Sequence, residues 1–354
     1  MDLKGKKPTA QDVAALAGVS QSTVSMILNN KPNVSFAPET IERVYNAARQ
    51  LDYKVKKAQT IALTKEEPVI AVVTPMLANP YYSSLVQSVE NEASSRDFGV
   101  LVCNTYHDSD TESRYLDLFS RSAFAGIIYT FMPYHLERVK ALSMSLPVVV
   151  VGDKNQSIDI DTVELNSVEA GELIARHLLN FGHKKMAFIT TPLSKNNLPR
   201  MRRLEGVRSE VEAAGGELVV VESDKKLTTH KYQPNLEYHV GYELTKSVLK
   251  DRSITAYIGV NDMVAYGILD ALEEAGLSVP EECSVCGFDN IFPSRFRRVA
   301  LTTIDSFLME KGKAAFELLA RKISQEKESS NNGIYRIEYK PVLIARGSTG
   351  PCAP

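Results

Sequence analysis

Apolar residues follow two different rhythms in this chain, and the change comes near residue 68. Before it they recur every three or four positions. In "TAQDVAALA", residues 9–17, Val13, Leu16 and Ala17 share one side of a helix that Thr9 caps, with Asp12 three residues on. Gly18 ends that helix and Ser20 opens another, "QSTVSMIL". On a 100° wheel Thr23, Val24, Ile27 and Leu28 gather on one side of it, and Gln21, Ser22, Ser25 and Met26 on the other. A third helical pattern, "PETIERVYNAARQL", spaces Ile41, Val44, Tyr45 and Ala48 along one face. The pattern predicts a small all-α unit over residues 1–56, its first two helices joined by a short glycine-containing turn. Two helices so joined form a helix-turn-helix, whose second helix enters the major groove of DNA.

After residue 68 the apolar positions cluster into short runs: "PVIAVVT", "GVLVC", "GIIYTF", "PVVVVGD", "KMAFITT", "ELVVVE", "ITAYIGV" and "CSVCGFD". Amphipathic stretches at 82–96, 168–181, 203–214 and 263–275 lie between them. Continuous apolar runs alternating with helices predict parallel β-sheet covered on both faces. So many strands over residues 68–346 suggest two doubly wound lobes, with a ligand site at the carboxyl ends of the strands, in the cleft between them. Between the two regions, residues 57–67 read as a charged linker without glycine.

Charge sharpens the division. The formal net charge is −2, yet residues 1–60 carry nine Lys or Arg against five Asp or Glu, or +4, leaving −6 for the remainder. A basic unit on an acidic body points to a polyanion partner for the first only. With 354 residues and 44% hydrophobic composition, several lobes can have real cores. The sequence has no run of about 18 apolar residues, and its first residues lack a secretory signal, so a cytoplasmic protein without membrane contact is expected. Four cysteines are too few for a disulfide framework in a chain this size.

The stretch "TAQDVAALAGVSQSTVSMILNNKPNVS", followed by "ETIERVYNAARQLDY", resembles the lactose/galactose-repressor family of bacterial transcription regulators. The resemblance implies a homodimer on double-stranded palindromic operator DNA. It sets Gln21, Ser22 and Met26 at the base-reading positions, and has Thr23, Ser25, Asn29 and Tyr53 touching phosphates or bracing the helix, with Thr9 counted beside them. Relatives often carry Arg where this chain has Met26. A thioether cannot make the bidentate contact to guanine, so apolar contact with a thymine methyl is expected there. The linker "KVKKAQTIALTKEEP" matches a hinge that becomes helical on DNA and pushes an apolar wedge into the minor groove. Ile61 is the preferred wedge, with Leu63 as the alternative.

The resemblance extends through "LANPYYSSLVQSVENEA", "LIARHLLNFGHKKMAFIT", "RRLEGV", "GVNDMVAYGILDALEEAGLSVPEECSVCGFDN" and "LTTI" to a periplasmic-binding-protein-like core. It implies a first lobe of residues 68–165 and 297–326, and a second of 166–296 and 334–346. It also sets Arg203, Asn261 and Asp289 at effector-contacting positions, each expected at a strand end or just after one. Their chemistry suits a sugar: a carboxylate accepts from neighbouring hydroxyls, an amide gives and takes, and a guanidinium offers a planar donor fork. Tyr81 or Tyr82 could stack on the ring. Lys195, with Asn196 and Asn197, could add contacts to a phosphate or carboxylate. Two departures bear on the ligand: Leu165 stands where relatives often have Asp, and "PLSKNNLPRMRR" is longer than usual. The function implied is that of a transcriptional repressor controlled by a sugar or sugar derivative.

Other classes fit less well. The turn after the first strand, "TPMLANP", lacks the glycines that admit a pyrophosphate, and no Walker-type loop is present, so a nucleotide-dependent enzyme is not expected. Cys283 and Cys286 form a C-x-x-C, but inside an apolar strand, so two core cysteines are expected. The six histidines show no metal-ligand spacing, and neither metal nor cofactor is expected. A solute-binding transport receptor is the remaining alternative, because it would share the two-lobed body. It would lack a helix-turn-helix.

Overall fold

The computed structural model describes residues 8–28, 36–51, 53, 68–154, 158–194, 197–224, 235–325 and 333–352. It divides into two compact units, Met1–Ala62 and Leu63–Pro354.

The first unit holds helices α1 (Ala10–Ala17), α2 (Gln21–Leu28) and α3 (Pro38–Gln50). Thr9 and Asp12 make a reciprocal capping box: the Thr9 backbone N–H donates to Asp12 Oδ2 at 2.7 Å, and the Asp12 N–H to Thr9 Oγ1 at 3.4 Å. Gly18 ends α1 at φ 67°, a left-handed conformation that costs a glycine little. Ser20 Oγ then receives the Thr23 N–H at 3.1 Å and starts α2. Val13, Ala14, Ala17, Val24, Ile27, Val44, Ala47 and Ala48 form the buried core. Two expected core residues lie outside it: Leu16 is 47% exposed and Tyr45 42%. At 100° per residue, each falls roughly a quarter-turn or more from the centre of its helix's buried stripe, which is set by 13, 14 and 17 in α1 and by 44, 47 and 48 in α3.

The second unit contains two six-stranded sheets. Strands β1 (Val69–Thr74), β2 (Gly99–Asn104), β3 (Gly126–Tyr129), β4 (Val148–Asp153), β5 (Asp161–Leu165) and β11 (Arg336–Tyr339) form one, in the order β11-β5-β4-β3-β1-β2, every pair parallel. The other is built from β6 (Lys185–Thr190), β7 (Glu217–Glu222), β8 (Ala256–Gly259), β9 (Ser284–Asp289), β10 (Thr302–Asp305) and β12 (Val342–Ile344). Its order is β12-β10-β9-β8-β6-β7, parallel except at β12. Helices α4 (Pro80–Ser94), α5 (Ser109–Phe119) and α6 (Leu136–Ser143) serve the first lobe. Helices α7 (Ser167–Asn180), α8 (Leu198–Ala213), α9 (Leu236–Val248) and α10 (Asp262–Glu274) serve the second, and α11 (Leu308–Gln325) packs back on α4 and the first sheet.

The expected lobe boundaries need correcting in the last third of the chain. The segment 297–326 does not belong wholly to the first lobe, because β10 pairs with β9 in the second sheet before α11 crosses over. Likewise 334–346 is split: β11 pairs with β5 in the first sheet, and only β12 joins the second. The chain thus passes between lobes after β5, β10 and β11. Helix α8 begins at Leu198, five residues before the expected start, because Pro199 sits in the first turn, where its missing N–H is tolerated. Arg203 is therefore inside a helix rather than at a strand end.

Helices α7 and α8 touch backbone to backbone through Gly171 and Gly206; a Cβ on Gly206 would lie 2.0 Å from the Val168 carbonyl oxygen. Gly206→Ala must push α8 away, at a cost of about 1–3 kcal/mol or more, and a lowered urea midpoint would register it. Among the described residues, no helix is long and apolar enough to cross a membrane.

Candidate effector cavity and reading helix

A cavity of about 330 Å³ opens at the carboxyl ends of the strands, walled by both lobes. The first lobe contributes Tyr81, Tyr82 and Asp153, the second Arg200, Arg203, Asn261 and Asp289. Each owes its position to a local feature. Asn79 caps α4, accepting the Tyr81 N–H at 2.9 Å, so the two tyrosines stand in the helix's first turn, edge to face with ring centroids 5.0 Å apart. Asp289 ends β9 at φ 120°, a strained value for a residue with a Cβ. Asn261 caps α10, its Oδ1 accepting the Val264 N–H at 3.0 Å, which leaves its NH2 as what it can offer a ligand.

Arg203 organises the floor. One terminal nitrogen donates to Asp289 Oδ1 at 3.1 Å and the other to the Val260 carbonyl at 2.7 Å, while the guanidinium lies 4.9 Å over the Phe288 ring. Its buried Nε has no hydrogen-bond partner among the described residues. Burial raises the Asp289 carboxyl to about 6, with Arg203 opposing the rise. Burial likewise lifts both tyrosine hydroxyls far above their ordinary range, so Tyr81 and Tyr82 remain neutral donors and acceptors.

Two polar bridges cross from lobe to lobe, one an amide–carboxylate hydrogen bond and the other an ion pair. Glu237, in the first turn of α9, accepts from Asn79 Nδ2 at 2.6 Å and from Arg200, joining the first lobe to the second. Arg202 reaches across to Asp153 Oδ2 at 3.3 Å and to the Lys154 carbonyl, while Asp153 Oδ1 accepts the Ser167 N–H at 3.0 Å. These groups close the cleft and make its closure dependent on a few polar contacts.

Of the residues expected to hold a ligand, Tyr81, Tyr82, Arg203, Asn261 and Asp289 line this one cavity. Asn197 and Leu165 line it too, whereas Lys195 and Asn196 lie outside the described residues. Sequence reasoning missed Asn79, Asp153, Arg200, Glu237 and Lys311. Arg200 had a usable signal, since it precedes Arg203 by one helical turn in "LPRMRR". Cys283 and Cys286 are buried free thiols, and burial pushes Cys283 up to about 12, which suits core positions rather than redox work.

On the three-helix unit, Gln21, Ser22 and Ser25 are exposed along α2, and Met26 is half-buried beside them. Ser22 Oγ lies 2.7 Å from Ser20 Oγ, and Thr23 Oγ1 2.8 Å from it, so Thr23 is held within the cap. Thr9 is engaged in the α1 cap and Tyr53 is half-buried against the helix core. Asn29, Ile61 and Leu63 lie outside the described residues.

Residues 9–55 match the model of bacterial regulatory proteins of the lacI family, and residues 67–341 that of periplasmic binding proteins and the sugar-binding domain of the LacI family. The chain belongs to the LacI family. Among LacI-family relatives, the HTH-type transcriptional repressor PurR of Haemophilus influenzae (strain PittEE) is 30% identical, the match covering 96% of this chain and 98% of the relative. The ribose operon repressor of Escherichia coli (strain K12) is also 30% identical, over 96% of this chain and 99% of its own. A crystal structure of a LacI family regulator from Enterococcus faecium with bound ribose superposes at a TM-score of 0.68 and 25% identity, covering 80% of this chain and all of the other. A LacI-family body explains why ligand-type chemistry sits between two lobes, and the matched N-terminal residues separate the chain from a transport receptor.

Proposed function

We propose that this protein is a cytoplasmic transcriptional repressor that binds a palindromic operator duplex as a homodimer and is controlled by a sugar or sugar derivative in the interlobe cavity. The observation that carries the reading is the cavity itself: Asp289, Arg203 and Asn261 face Tyr81 and Asp153 across the cleft, in a chain that also carries a helix-turn-helix. Hydroxyls of a ring can bond the carboxylate, the guanidinium and the amide, while Tyr81 or Tyr82 covers an apolar face. A ligand touching both lobes favours one lobe arrangement over another, and only such differential binding can shift an equilibrium.

On the DNA side, the exposed face of α2 is short, uncharged and rich in donors and acceptors, which suits base edges rather than phosphates. One such helix covers half a site, hence the dimer and the palindrome. Gln21→Ala is expected to lose about 1–3 kcal/mol of discrimination between operator and random duplex, with smaller loss of affinity for random DNA. Fluorescence anisotropy on both duplexes at one salt concentration measures this; equal loss on the two would remove Gln21 from the readers. The reading as a whole is tested by titrating the full-length protein against a duplex enriched from a random pool, with and without a sugar that stabilises the protein.

A further inference from the structure

Lys311 occupies a position where the pattern of its helix calls for an apolar residue. It follows Leu308 by three residues and precedes Ala315 by four, on the stripe of α11 that buries Leu308, Ala315 and Leu319, and it is itself only 1% exposed. Lys311 is among the residues that line the interlobe cavity. Among the described residues its side chain makes one hydrogen bond, long and to an uncharged acceptor, Nζ donating to Tyr81 Oη at 3.3 Å, with the Tyr81 ring centroid 5.5 Å away.

Of the three carboxylates whose charge reaches it, Asp289 and Asp153 already pair with arginines, while Asp305 attracts it from a distance without a contact among the described ion pairs. Asp289 pairs with Arg203, Glu237 with Arg200, and Asp153 with Arg202. Asp305, at the end of β10, accepts the Phe307 N–H at 2.9 Å. No described carboxylate forms an ion pair with Lys311, so the cavity holds one cation more than its paired acids neutralise. A buried ammonium whose three N–H donors meet one phenol oxygen is costly, and an unbranched apolar side chain would fill the same space without that cost.

We propose that the effector is an acidic sugar, a carboxylated or phosphorylated monosaccharide whose anionic group binds Lys311 while its hydroxyls bond Asp289, Arg203 and Asn261. The proposal rests on the cavity reading above and adds the class of ligand. Burial lowers the Lys311 ammonium to about 8, with Asp289, Asp153 and Asp305 pulling it up and Arg203 pushing it down. An anion placed against Nζ favours the charged form. Binding near or just above pH 8 should therefore take up protons, and affinity should fall as the pH rises past that point. The cavity volume, at the small end for ligand sites, suits one ring with one added group better than an oligosaccharide.

The test uses the full-length protein, with D-galacturonate, D-gluconate, D-glucose 6-phosphate and D-ribose 5-phosphate set against neutral D-galactose, D-glucose and D-ribose, by thermal shift and calorimetry. At least one acidic sugar should bind the wild type, and comparing the carboxylates with the phosphates shows which anion is recognised. Lys311→Met should weaken that ligand about 10- to 100-fold, the range for a hydrogen bond to a charged group. It should also abolish the dependence of the binding enthalpy on the buffer's ionisation heat just above pH 8. The variant removes a buried charge, so it should unfold no earlier than the wild type. Binding of neutral sugars alone would overturn the proposal, as would acidic sugars binding wild type and Lys311→Met equally, or no acidic sugar binding at millimolar concentration. Asp289→Asn separates the two levels. If it abolishes neutral-sugar binding while acidic sugars stay silent, the cavity stands and only the lysine assignment falls. If an acidic sugar binds regardless of both substitutions, the cavity reading falls.

Discussion

Arg203→Ala should produce a protein that no longer binds its sugar and unfolds earlier by roughly 10 °C, from a loss of about 3–5 kcal/mol. The loss follows from what the arginine leaves behind. Asp289 is buried and, beside Arg203, already sits at about 6 against an ordinary 3.8, so removing the guanidinium raises it further. A carboxyl whose folded value lies above its unfolded value binds its proton more readily in the folded state. It therefore costs nothing at a pH below both values, and the cost grows as pH rises from the ordinary carboxylate range to the folded value. Relative to the wild type, the deficit of Arg203→Ala should be full only above the variant's further raised carboxyl value, and should shrink as pH falls toward about 6, below which the carboxyl protonates in both folded proteins. Adding Asp289→Asn to the same chain should restore part of the stability and none of the sugar binding. Thermal unfolding of the wild type and the two variants, from below pH 6 to well above it, gives the answer. A deficit independent of pH would mean that the stranded carboxyl is not its source.

The second large effect concerns the cross-lobe bridge. Glu237→Ala leaves Arg200, a guanidinium only 12% exposed, without its carboxylate, and takes from Asn79 its acceptor in the other lobe. Stranding a buried charge costs about 3–5 kcal/mol. The Arg200–Glu237 pair lies within the second lobe, but the Asn79–Glu237 bond forms only when the lobes meet, so that part of the loss falls on the closed arrangement and ligand affinity should drop even though Glu237 need not touch the ligand. A double-mutant cycle with Arg200→Leu separates the two contributions. Coupling of about 1–3 kcal/mol is expected if the pair acts as one unit, and additive losses would show that it does not.

How much of this could be read from residues depends on the distance over which each feature is encoded. The three-helix unit was legible because caps, the Gly18 turn and helical spacing all act within four residues. Leu16 and Tyr45 were misjudged because an apolar residue on the edge of a stripe is buried or exposed by where the neighbouring helices lie, which no local spacing specifies. Parallel strands were legible from their apolar runs, but their lobe membership was not. "TTID" and "RIEY" do not carry the identity of their partners, and β10 and β11 join opposite sheets only because the chain crosses between lobes after each.

The cavity divides in the same way. Asp289, Arg203 and Asn261 were found through motifs, yet Arg203 was set at a strand end because the early start of α8 at Leu198 was not foreseen. Asn79 and Glu237 lie 158 residues apart and meet only through the lobe arrangement, so no pattern in either segment points to the bond. Lys311 was different. A lysine on the apolar stripe of "LMEKGKAAFELL" is a local anomaly that a stricter count of the helical period would have exposed.

The central claim is that a ligand in the interlobe cavity governs DNA binding by a separate three-helix unit. The direct measurement is operator anisotropy on full-length protein at fixed salt, wild type against Asp289→Asn, with and without a sugar whose binding to the wild type has been established by calorimetry. The account predicts that the sugar changes wild-type operator affinity by about 5- to 150-fold, the usual size of an allosteric coupling. It also predicts that Asp289→Asn binds operator like the wild type when no sugar is present and fails to respond when it is. A sugar that binds the wild type but leaves its operator isotherm unmoved would contradict the claim.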